Sequence, residues 1–118
     1  MGAIARLTRR SEFLKVAAGR RKSVTPGLIL QSLDNPALPA GNPFRIGYTA
    51  SRKVGNAVAR NRAKRRLRAL ASEIMPGEAA EGRDYVLIAR AETVSRPFAD
   101  LRGDLLQALR RLDRRAPR

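Results

Sequence analysis

The pattern of apolar residues predicts an α/β fold, in the α+β sense of one sheet sandwiched with helices. Three observations predict it. Residues 44–51 alternate, with Phe44, Ile46, Tyr48 and Ala50 on one side and Arg45, Gly47, Thr49 and Ser51 on the other, as a strand with one buried face does. A long helical stretch follows, and then the apolar run Tyr85-Val86-Leu87-Ile88-Ala89, so two strands flank a crossover helix. Last, Phe98, Leu101, Leu105, Ala108, Leu109 and Leu112 recur at helical spacing and make one stripe. At 118 residues the chain has the length of a single domain, 1–118.

In chain order, Thr8 is placed to cap a first helix whose apolar side is Phe13, Leu14, Ala17 and Ala18, ended by Gly19. Thr25-Pro26-Gly27 signals a turn, and residues 28–33 read as a strand. Whether residues 22–24 make a strand of their own stays open. Three prolines and a glycine make residues 34–43 a loop. Asn56 is a good N-cap for the long helix, and Pro76-Gly77 is expected to stop it. Ser95 and Pro97 open the last helix, and the Arg-rich tail from Arg114 is expected to fray.

Charge is the outlier. Twenty-five Lys and Arg against ten Asp and Glu give a formal net charge of +15, which opposes compaction and calls for a polyanionic partner. Cysteine and histidine are both absent. A Ser-His-Asp or Cys-His arrangement and a thiolate metal site are therefore excluded, and no catalytic or metal-binding residue is assigned. Any chemistry is expected outside this chain. No signal-peptide or membrane-spanning run is visible, so a cytoplasmic protein without membrane contact is expected.

The charge is concentrated. Between Asp34 and Glu73 there is no acid and there are nine Lys and Arg, eight of them in residues 52–68. On a helix, Ala59, Ala63, Leu67, Leu70, Ala71 and Ile74 gather on one face. Arg62, Lys64, Arg65, Arg66 and Arg68 spread over the other, with Arg60 at the margin. A solvated basic face would carry acidic i,i+4 partners, and this one has none. Arg outnumbers Lys, and its planar fork suits phosphates and guanine edges. Asn61 adds a donor and an acceptor. A helix-turn-helix needs two short helices, a basic zipper needs heptads, and a membrane-bound helix needs larger apolar residues than alanine. Structured RNA fits best, and five aromatics are too few for a multi-base stacking sheet. The rival classes are a ribosomal-type RNA-binding protein and a membrane-active basic domain.

Residues 51–68, Ser-Arg-Lys-Val-Gly-Asn-Ala-Val-Ala-Arg-Asn-Arg-Ala-Lys-Arg-Arg-Leu-Arg, closely resemble the signature of the bacterial ribonuclease P protein component family. Leu7 with Glu12-Phe13 resembles that family's opening, and residues 84–90 its last strand. The resemblance runs from Arg6 to Leu112. It implies an α-β-β-β-α-β-α two-layer sandwich with a left-handed crossover through the basic helix, against the general rule. It implies a subunit of an endoribonuclease that removes the 5′ leader of precursor tRNA, with the chemistry and Mg2+ in a catalytic RNA. By position, Arg52, Lys53, Arg60, Asn61, Arg62, Lys64, Arg65 and Arg68 would face that RNA. Phe13, Gln31 and Thr49 would line a cleft for the single-stranded leader of precursor tRNA. Three residues depart from the family pattern. Ala17 and Gln31 stand where relatives carry aromatics, which weakens stacking on the leader. Ala69 stands where an acid is common, which makes the helix more uniformly positive.

Overall fold

The computed structural model describes residues 4–39 and 41–114. The first three residues, and the tail past Arg114 that the composition marks as frayed, lie outside the described residues. A five-stranded mixed sheet runs in the order β1-β4-β5-β3-β2. The strands are β1 (Ala5–Arg6), β2 (Lys22–Val24), β3 (Leu28–Asp34), β4 (Phe44–Thr49) and β5 (Arg83–Ala89). The helices are α1 (Arg10–Ala18), α2 (Ala57–Glu78) and α3 (Phe98–Arg114), with 3-10 turns at Arg52–Val54 and Ala91–Val94. β4 and β5 are parallel neighbours, and α2 is the crossover between them. β3 pairs antiparallel with β5 and with β2.

The pleat sorts the two faces. Leu28 and Leu30 of β3, Phe44 and Ile46 of β4, and Tyr85, Leu87 and Ala89 of β5 point to one side. There they meet Ala63, Leu67, Leu70, Ala71, Ile74 and Met75 of α2 and the leucine stripe of α3, forming the main core. The Tyr85 ring packs edge-on against Phe44, and its hydroxyl accepts a hydrogen bond from the Ala80 N–H at 2.9 Å. On the opposite face α1 covers part of the sheet, over a smaller cluster of Leu7, Val16 and Val86 joined by Phe13, Leu33 and Ile88.

Several details differ from the sequence expectation. A short β1 precedes α1, and Leu7 extends it by donating to the Ile46 carbonyl. Two residues are too few to alternate, so no pattern announced it. Arg9, not Thr8, is the α1 N-cap, because the Glu12 carboxylate accepts from both the Thr8 and Arg9 N–H groups. Val16, 1% exposed, anchors α1, whereas Leu14, Ala17 and Ala18 face solvent. Gly19 closes the helix in a right-handed conformation, and Arg20 takes the left-handed one, at φ 59. α2 runs through Pro76 and Gly77 to Glu78. Proline removes only its own donor there, and buried Ile74 and Met75 hold the last turn on the core while Ala79 N–H closes onto the Met75 carbonyl. β5 starts two residues early because Arg83 and Asp84 are buried as ion pairs with Asp34 and Arg45. Lys22–Val24 does form a strand, in register with Ile29–Gln31.

Candidate nucleic-acid interface

The basic helix is launched by a compact turn. Ser51 Oγ accepts the Lys53 N–H at 3.3 Å, and Gly55 follows at φ 145 with no room for a side chain beside Ala59. Asn56 Oδ1 then caps α2 by accepting the Ala59 N–H at 2.9 Å. The result sets Arg52 and Lys53, both exposed, beside a helix N-terminus whose first turn carries no acid. Such an end attracts anions through its free N–H groups and dipole.

From there α2 forms a ridge about 33 Å long. Its basic residues divide between two flanks. Arg60, Lys64 and Arg68, at i, i+4 and i+8, are half-buried on the flank toward the end of β4. Arg60, Asn61 and Lys64 line a small groove there with Ala50 and Ala57, and the Arg60 Nε is enclosed without a hydrogen-bond partner. Arg68 lies near the Tyr48 hydroxyl, as does Arg6, whose guanidinium stands 5.9 Å from the Tyr48 ring. Burial pushes the Tyr48 phenol pKa up, and the two cations pull against that. On the α3 side, Arg62 and Arg65 are exposed.

Among the described residues, the side chains of Arg52, Lys53, Arg60, Asn61, Arg62, Lys64, Arg65 and Arg68 make no ion pair or hydrogen bond. Arg66 behaves otherwise. It donates to the carbonyls of Thr93 at 2.6 Å and Arg96 at 2.7 Å, and stands over the Phe98 ring. It fastens α2 to the segment leading into α3. Periodicity grouped it with the solvent-facing cations, because its acceptors lie far along the chain and give no local signal.

Phe13, Gln31 and Thr49 come together on the opposite face of the sheet. Gly47, Val86 and Gln31 form one row across β4, β5 and β3, and Thr49, Ile88 and Ile29 form the next. Phe13, half-buried, rests its ring against Gly47, where any Cβ would overlap it. The seat for Phe13 is thus a glycine that the sequence reading passed over. A glycine at an outward position of a strand was the available signal. Arg45 fixes α1 over this face by bridging Glu12 at 2.7 Å and Asp84 at 2.8 Å. Ala17 is exposed on α1, which leaves that position open to solvent.

Comparison with known proteins decides the family. The sequence model described as Ribonuclease P matches residues 1–113. The chain belongs to the ribonuclease P protein family. The ribonuclease P protein component of Paramagnetospirillum magneticum is 50% identical over 113 residues, covering 91% of this chain and 81% of that protein. That of Ruegeria pomeroyi is 50% identical over 107 residues, covering 90% and 84%. Among solved structures, the ribonuclease P protein from Thermotoga maritima superposes with a TM-score of 0.73 at 26% identity, covering 95% of this chain and 98% of that one. The Staphylococcus aureus protein, at 22% identity and a TM-score of 0.73, shares the fold over 92% and 94% of the two chains. As a ribonuclease P protein component, the chain is a subunit of an endoribonuclease ribonucleoprotein and has an RNA partner. Among the described residues no helix is long and apolar enough to cross a membrane.

Proposed function

We propose that α2 and the turn before it hold the catalytic RNA of ribonuclease P, and that the Phe13 face holds the 5′ leader of precursor tRNA. The observation that carries this reading is the row of unpartnered groups: Arg52, Lys53, Arg60, Asn61, Arg62, Lys64, Arg65 and Arg68 on one rigid support. Like charges along a helix repel and cost stability unless a polyanion neutralises them. Arg60, half-buried beside the groove it lines with Asn61 and Lys64, adds a guanidinium suited to a phosphate oxygen. Phe13, Gln31 and Thr49 offer one ring and two polar groups on a face only partly covered by α1, a surface suited to a single strand.

The protein positions RNA and leaves the bond breaking to its partner. With no histidine or cysteine in the chain, the side chains best suited to proton transfer near neutral pH are missing. Magnesium belongs with the RNA in this reading. The working compartment is the cytoplasm, where precursor tRNA is made. Reconstitution tests the proposal. Adding the protein to its catalytic RNA should lower the magnesium requirement and tighten binding of precursor tRNA. Cleavage by the protein after nuclease treatment and removal of all RNA would overturn this division of labour.

A further inference from the structure

A groove of about 520 Å³ runs along the α3 side of α2, within the range of ordinary small-ligand sites, about 300–1,000 Å³. Its floor is apolar: Val58, Ala69 and Phe98. Val58 is 75% exposed, the most exposed large aliphatic residue among those described. Its walls are the unpartnered Arg62 and Arg65, one helical stripe with Val58 and Ala69 at i, i+4, i+7 and i+11. The back of the groove is rigid. Arg66 is fixed by the Thr93 and Arg96 carbonyls, and Phe98 is held within cation–π range of both Arg66 and Arg102, the latter paired with Glu73.

An apolar floor between two free guanidinium groups suits a flat apolar body on an anionic frame. A nucleotide has that shape. Bases in a duplex are stacked inside and cannot reach such a floor, whereas an unpaired nucleotide can turn its base outward. Among the described residues no carboxylate lines the groove to repel its phosphates. The geometry points to a seat for one unpaired nucleotide of the catalytic RNA, its base on Val58, Ala69 and Phe98 and its flanking phosphates on Arg62 and Arg65. This rests on the assignment of α2 to the catalytic RNA. The leader is a poorer occupant, because Phe13 lies on the other face of the sheet.

The chain contains no cysteine, so Ser72→Cys, exposed one turn beyond the groove floor, provides a unique attachment point for a photocrosslinker. In the reconstituted holoenzyme the crosslink should land on the base of one unpaired nucleotide of the catalytic RNA. Making that position abasic should weaken protein binding roughly five- to tenfold, the scale of the apolar area lost. Val58→Ser, at an exposed position that leaves the melt unchanged, should weaken binding by a similar factor without altering its salt dependence. Combining it with the abasic RNA should add little, since both changes remove one contact. Crosslinks scattered over paired stems or landing on precursor tRNA would overturn the proposal, as would full affinity of Val58→Ser. Failure of the underlying assignment is distinguishable: the unaltered protein would not bind the catalytic RNA.

Discussion

Arg65 faces solvent without a partner, while its neighbour Arg66 donates to two backbone carbonyls across the molecule. Their replacements should separate cleanly. Arg66→Ala strips charge-assisted hydrogen bonds from two carbonyls and should cost about 2 kcal/mol, lowering the melting temperature by several degrees. Arg65→Ala should leave the melt alone and shallow the salt dependence of RNA binding by about 0.7–0.9 units of log K per log salt, if one phosphate contact is lost. Glu12 gives a pH-dependent counterpart. The N–H groups of Arg9 and Thr8, and then the Arg45 guanidinium, hold its carboxyl pKa below the usual value. A carboxyl that ionises more readily folded than unfolded stabilises the fold above the unfolded pKa, and that contribution is lost as pH falls through the folded one. Glu12→Gln should therefore be less stable than the unaltered protein in urea melts at pH 7, and the gap should shrink progressively as the pH is taken below the ordinary carboxylate range. At this scale, the sequence placed Arg62 and Arg65 opposite the core because helical period alone decides it. Nothing local could separate Arg66 from Arg65, since partners 27 and 30 residues away decide that.

Among the elements, α2 was the most legible and α1 the least. α2 is long, strongly periodic and capped by an asparagine whose bond the structure contains, so only its end past Pro76 was missed. α1 has nine residues, and its cap is an exchange between Glu12 and the chain before it rather than a Thr8 side chain. Its seat also depends on a strand more than thirty residues on. Gly47 lets the Phe13 ring rest against β4, and the substitution that probes this seat is Gly47→Ala. The new methyl meets the ring on a sheet backbone that cannot retreat, so Phe13 must move outward. Stability should fall by about 1–3 kcal/mol, the range of overpacked sites. Under the proposed function, precursor tRNA binding should weaken while catalytic-RNA binding is kept. Equal affinity for precursor tRNA in Gly47→Ala and the unaltered protein would detach the Phe13 seat from the leader.

At the scale of the whole molecule, charge is sorted by task. Glu12, Asp34, Glu73, Asp84 and Asp104 each pair with an arginine that ties elements together: Arg45, Arg21 with Arg83, Arg102, Arg45 again and Arg96. None of them reaches residues 60–68 of α2, which therefore keep their full positive charge. If about five of these cations meet phosphates, log K for the catalytic RNA should fall with log salt at a slope of about −3.5 to −4.5. A slope near zero would make the ridge a merely solvated face. The Phe13 surface lies across the sheet from α2 and α3, so damage to the two surfaces should not look alike. Arg62→Ala should weaken holoenzyme assembly, and excess protein should restore cleavage. Phe13→Ala should assemble nearly normally and bind precursor tRNA more weakly, by about 1–3 kcal/mol for one base–aromatic stack, with affinity for leaderless mature tRNA unchanged. Because Phe13 is half-buried on Gly47, its removal should also cost stability, though less than the roughly 3–5 kcal/mol of a fully enclosed ring. Paired affinities for precursor and mature tRNA, measured well below the mutant's melting temperature, separate the two contributions. Equal loss for both tRNAs would make Phe13 a packing residue and remove it from the leader surface.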